Sequence, residues 1–174
     1  MQKIIDEFLE KEKAQPLSDD DVLALVKGRA NVIRIIDLDK YHSIDEMLYP
    51  YDQCILLYES KPHYGHWCCL TKYGDSLEFF DSYGGFPDEQ LDYIDKDFAH
   101  ESGQDNKYLT QLLLECPYTL SYNDHVFQKM DPKIATCGKW VAVRCMLKEL
   151  PLEVFKDLFF GKYSDNLAAF LTSK

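Results

Sequence analysis

From Cys137 to about Leu150 the chain carries an apolar run at helical spacing, and Pro151 stops it. Proline lacks the amide a helix needs and disfavours helical backbone at the residue before it. The packing stripe, Gly138, Val141, Ala142, Cys145 and Met146, is small and apolar, so this helix can lie close against a sheet. The middle of the chain supplies that sheet. Cys54-Ile55-Leu56-Leu57-Tyr58 and His66-Trp67-Cys68-Cys69-Leu70-Thr71 are short apolar runs of the kind found in buried strands. Tyr73-Gly74-Asp75-Ser76 is a turn signal, and Leu77-Glu78-Phe79-Phe80-Asp81 follows, so the second and third runs form a hairpin.

The flanks are helical. Ile4, Ile5, Phe8 and Leu9 share one helical face, Ser18 caps a short helix with acids in its first turn, and Gly28 closes it. Leu91, Ile94 and Phe98, then Tyr108, Leu109, Leu112 and Leu113, follow helical spacing. Tyr118 to Tyr122 reads as a fourth strand, and helical pieces follow at Leu152–Phe159 and Ser164–Leu171. The expectation is a single α+β domain over 1–174: a small, mainly antiparallel mixed sheet flanked by helices. Residues 1–15 form an accessory N-terminal helix.

Composition narrows the functions open to such a fold. The 174 residues carry 30 acids against 19 Lys plus Arg, a net charge of -11. A surface of that sign is a poor match for phosphate backbones or anionic membranes, so no nucleic-acid or membrane partner is expected. No apolar stretch approaches the roughly 18 residues of a membrane span. The amphipathic, acidic start is neither a secretory signal nor a transit peptide. The six cysteines form no CxxC pair, which reads as reduced thiols in an intracellular protein. Cys68 and Cys69 are strand neighbours and point to opposite faces. No metal site and no cofactor are expected.

The chemistry collects around Cys137. A helix N-terminus offers oriented N–H groups and partial positive charge, which favour a thiolate. Gly138 beside it leaves room for a substrate backbone, and Trp67 is the second candidate for the groove wall. His66, at the head of a strand, is the candidate base. His63 in the same loop is its rival. Asp81 ends the paired strand and can hold the imidazole in the required tautomer. Glu78 is the competing acid, on the opposite face by alternation. Gln128 can donate its amide to an oxyanion together with the Cys137 N–H.

The pieces Gly65-His66-Trp67, Phe79-Phe80-Asp81-Ser82-Tyr83-Gly84, Gln128 and Thr136-Cys137-Gly138 come in an order that resembles the adenain and ubiquitin-like-protein protease superfamily. Papain-like enzymes place the cysteine before the histidine. Lys40-Tyr41-His42-Ser43-Ile44-Asp45-Glu46-Met47-Leu48 and Gly65-His66-Trp67-Cys68-Cys69-Leu70 look most like the cysteine proteases of virophages, polinton-type elements and large DNA viruses. The resemblance covers roughly residues 18–150 and departs at one spacing: nine positions separate Gln128 from Cys137, with Asp131-Pro132 between them. It implies a cysteine endopeptidase that cleaves beside small residues and processes capsid or other virion precursors, within the host cytoplasm or viral factory or packaged in the virion. It also implies an activating peptide or partner. The DNA cofactor of adenain does not carry over to so acidic a chain. Two other readings share these residues: a deubiquitinase or ubiquitin-like-modifier protease, and a non-catalytic binding module.

Overall fold

The computed structural model describes residues 1–161 and 164–173. Its elements run α1 (Gln2–Ala14), α2 (Asp19–Leu25), β1 (Asn31–Arg34), a 3₁₀ turn (Ile35–Lys40), α3 (Ile44–Leu48), β2 (Gln53–Lys61), β3 (Tyr64–Tyr73) and β4 (Ser76–Asp81). A second 3₁₀ turn (Glu89–Tyr93), α4 (Lys96–Ser102), α5 (Tyr108–Glu115), β5 (Thr119–Tyr122), α6 (Cys137–Met146), α7 (Leu152–Phe159) and α8 (Ser164–Thr172) complete the chain. This is α+β architecture. The five strands lie in the order β1-β2-β3-β4-β5. The two central pairings are antiparallel and the two outer ones parallel.

Helices cover both faces of the sheet, which is why the central strands read as unbroken apolar runs. Alternation sorts their side chains. Ile55, Leu57, Trp67, Cys69 and Phe80 face α6, while Leu56, Tyr58, Cys68, Leu70 and Phe79 face the layer holding α3 and α5. Cys68 and Cys69 accordingly enter different cores.

Three sequence expectations need revision. β1 went unforeseen; its side chains sit between the 3₁₀ turn and β2 and carry little pattern over four residues. The stretch around Leu91–Phe98 breaks in two, because Asp95 caps α4 by accepting bonds from the amides of Asp97 and Phe98. The central helix ends at Met146, earlier than Leu150, and a turn from Leu147 to Leu150 precedes Pro151. Its burial also exceeds one stripe. Cys137 through Cys145 are all buried, including Lys139 and Arg144, since α2 and α8 pack against the helix as well as the sheet.

Those two cations have partners. Arg144 places its guanidinium on Glu78, Nε to Oε1 at 2.8 Å and NH2 to Oε2 at 3.0 Å, and donates further to Leu147 O and Tyr73 OH. Lys139 lies 3.5 Å from Glu12 of α1. The Ala135 amide donates to Lys13 O at 2.7 Å, so α1 is fastened to the chain just before the central helix.

At Gly65 the backbone of β2 leaves no room for a side chain on β3. A Cβ there would sit 1.8 Å from Tyr58 O and 2.8 Å from Glu59 Cα, both backbone atoms. Gly65→Ala is therefore expected to prise the strands apart and cost at least about 1–3 kcal/mol. Urea unfolding checks this, and an unchanged midpoint would contradict the close approach.

Candidate active site

Cys137 is the first residue of α6, and His66 is the third residue of β3. They approach from different layers. His66 shares its strand face with Cys68, away from α6, while Cys137 belongs to the α6 layer. The two meet past the Gly65 end of β3, where Cys137 Sγ lies 4.0 Å from Gly65 O.

His66 Nε2 contacts Asp81 Oδ1 at 2.8 Å, leaving Nδ1 free to take a thiol proton. Asp81 is fully buried and held on all sides. The Tyr83 amide donates to Oδ1 at 2.8 Å, the Gln90 amide to Oδ2 at 3.2 Å, and Asn123 Nδ2 to the Asp81 carbonyl at 2.7 Å. Of the rivals, Glu78 faces the other way, onto Arg144. His63 is turned outward by a left-handed backbone (φ 58°), its amide bonded to Glu59.

Gln128 lines the same cleft as His66 and Cys137, with a cavity volume of about 220 Å³. The Ser82 hydroxyl donates to its Oε1 at 2.9 Å, which turns Nε2 toward Tyr83 OH at 3.1 Å and Ile134 O at 3.4 Å. Trp67 and Gly138, by contrast, do not line the cleft. They are buried against each other: a Cβ on Gly138 would meet Trp67 Cδ1 at 2.9 Å and Leu17 Cβ at 3.2 Å. Trp67 Nε1 donates to Leu17 O at 3.2 Å. The segment after α1 thus seals the space in which a substrate groove was expected, and Gly138 is needed for packing. The cleft walls are instead Pro16, Tyr64, Tyr93, Pro132 and Ile134.

Two residues that sequence reasoning left out organise the site. Tyr83 stacks on the His66 ring (centroids 4.9 Å apart, 15° between planes) and also touches Asp81 and Gln128. Its place in the turn after Asp81 was the available signal. Asp165, in the first turn of α8, accepts from Thr136 Oγ1 at 2.6 Å, Trp140 Nε1 at 2.9 Å and the Lys129 amide at 2.9 Å. It pins the residue before Cys137 and the residue after Gln128 together. Nothing in the sequence separates it from an ordinary helix-start acid.

The electrostatics have the signs of a thiolate–imidazolium pair. Burial pushes the Cys137 thiol up, but the hydrogen bond and charge of His66, with the amides of Trp67 and Gly138, bring it below its ordinary value. Burial likewise works against a charged His66. Cys68, Asp81 and the bond to Cys137 outweigh it and hold His66 well above the usual range. Cys68 is itself pushed up to about 12, mainly by burial, so it stays a thiol at neutral pH. Asp81, itself lowered despite burial, is the carboxylate that supports the charged ring. Iodoacetamide should therefore alkylate Cys137 with an inflection below the value of about 8.5 for free cysteine. In His66→Ala, burial is left unopposed by the imidazolium and the inflection should move upward. Mass-spectrometric rates against pH decide it, and the same inflection in both proteins would contradict the pairing.

Fold and side chains together define an α+β protein with a buried Cys-His-Asp constellation at a cleft. No protein-family model matches the chain. It is 44% identical over 155 residues to the uncharacterized protein V9 of Sputnik virophage, covering 88% of this chain and 86% of that protein. The chain belongs to the family of that virophage protein. Among solved structures it is similar to the SUMO protease Ulp1 with its catalytic cysteine oxidized to a sulfinic acid. That similarity has 14% identity, 91% of this chain, 76% of the other and a TM-score of 0.45. It is also similar to an ASFV protease, with 16% identity, 82% and 57% coverage and a TM-score of 0.39. Among the described residues no helix is long and apolar enough to cross a membrane.

Proposed function

We propose that this protein is a cysteine endopeptidase. The observation that carries the reading is His66, held by Asp81 through Nε2 and in electrostatic contact with Cys137, at a cleft that Gln128 also lines. The Cys137 thiolate attacks a substrate carbonyl. The Cys137 N–H and Gln128 Nε2 receive the oxyanion, Nε2 exchanging its present bond to Tyr83 OH for the developing charge. The His66 imidazolium gives its proton to the leaving amine. The same ring then takes a proton from water to release the acyl group. Asp81 stabilises the charged ring throughout.

The substrate reading is virion precursor proteins, cleaved beside small residues during maturation. Kinship to a virophage protein supports the setting. The small cleft, whose lining carries no Asp, Glu, Lys or Arg, supports a short apolar or glycine-rich recognition segment. The test is incubation of the wild-type and Cys137→Ala proteins with the co-encoded capsid proteins, with new termini read by mass spectrometry. New termini from the wild type alone are expected. Intact capsid proteins beside rapid turnover of a ubiquitin-like modifier's C-terminal ester or amide would point to the modifier-protease reading.

A further inference from the structure

Strand geometry brings a third ligating side chain to the His66–Asp81 pair. His66 and Cys68 are two apart on β3 and so share a face. Cys68 is the direct cross-strand partner of Asp81 in the β3–β4 register. A ring nitrogen, a thiol sulfur and a carboxylate oxygen from these three residues all lie within 4.8 Å of one another, with Cys68 and Asp81 buried and His66 at the cleft. The sequence shows no such motif, because the ligands come from two strands.

We propose that His66, Cys68 and Asp81 form a zinc site whose occupation switches the catalytic cysteine off. One imidazole, one thiolate and one carboxylate are the donors Zn²⁺ takes, and ligand atoms of a tetrahedral site stand roughly 3.3–3.8 Å apart given the usual bond lengths. Small side-chain rotations bring these three into that range. The outer support is already built: Asp81 accepts from the Tyr83 amide and from Gln90, which fixes the carboxylate as ligating carboxylates are usually fixed. Three protein ligands leave one position for a water on the cleft side. Binding releases the Cys68 thiol proton and any proton on the His66 nitrogen that meets the metal. It also takes that nitrogen from Asp81, so His66 can no longer be held, charged and opposite Cys137. Cys68 has no part in the acyl-transfer steps. The inhibition rests on the thiol-protease reading; the metal binding does not.

The test separates the two. Full-length Cys137→Ala protein, which lacks the nucleophile's own thiol, is titrated with Co²⁺ and then with Zn²⁺ in competition. One equivalent of Co²⁺ with a thiolate-to-cobalt charge-transfer band is expected. Adding Cys68→Ala should remove the band and weaken zinc binding at least about tenfold, whereas adding Cys69→Ala, on the opposite face, should change neither. No band in Cys137→Ala, or a band that survives Cys68→Ala, overturns the site. Zinc should also raise the melting temperature of Cys137→Ala but not of its Cys68→Val derivative; equal shifts count against the proposal. In the protein with Cys137 intact, turnover of the Cys68→Ala variant, compared with its own metal-free rate, should need at least about tenfold more zinc for half-inhibition. Equal zinc sensitivity overturns the switch. Absence of any turnover, with the cobalt band in place, would instead count against the protease reading.

Discussion

Cys137→Ala is expected to lower peptide-bond turnover by roughly 10⁴–10⁶-fold, and His66→Ala by a comparable factor. The double variant should be no worse than either single one, because thiolate and imidazolium act as one unit. Gln128→Ala removes one oxyanion donor and leaves the other, so its loss should be about 10²–10³-fold. This ordering, measured as kcat/KM on a cleaved precursor peptide, is more diagnostic than any single loss. A Gln128→Ala variant as dead as Cys137→Ala, with unchanged thermal unfolding, would remove Gln128 from the oxyanion role and make it indispensable in some other way. A Cys137→Ala variant that still cleaves would end the thiol mechanism.

The largest stability effect is expected at Arg144. Its guanidinium makes a two-pronged contact with Glu78 while both side chains are almost wholly buried, 1% and 7% exposed. Arg144→Ala strands the Glu78 carboxylate in the core, and breaking such a pair costs about 3–5 kcal/mol. For a domain of this length that is a fall in Tm of roughly 6–20 °C. Replacing both partners, as in Glu78→Leu with Arg144→Met, should recover much of the loss, since no charge is then buried alone. Denaturant unfolding of the three variants checks the cycle. A loss under about 1 kcal/mol for Arg144→Ala would place the pair in the class of solvent-screened surface bridges.

Legibility followed the kind of physics involved. Apolar runs marked β2 and β3, since burial on both faces leaves no alternation to misread, and the turn signal before Leu77 marked β4. The order of His66, Asp81, Gln128 and Cys137 identified residues that the fold brings to one place, because hairpin pairing and a helix start are both local signals. Long-range packing was not legible. Trp67 and Gly138 looked like groove residues until Leu17, some 50 positions away from Trp67, was seen to cover them. Arg144 and Lys139 carried no signal of burial, since nothing nearby in sequence reveals that Glu78 and Glu12 await them. Asp165 was invisible for the same reason: its three hydrogen bonds all reach back more than 20 residues.

Sulfur and imidazole stand on opposite sides of one sheet and meet only around its rim, at Gly65. Each is therefore anchored in its own hydrophobic layer, and their separation is the difference between two independent packings. A core substitution in either layer can slide one anchor without melting the other. Reactivity of the thiol is thus a gauge of alignment between the layers, and it should drift well before the protein as a whole loses stability.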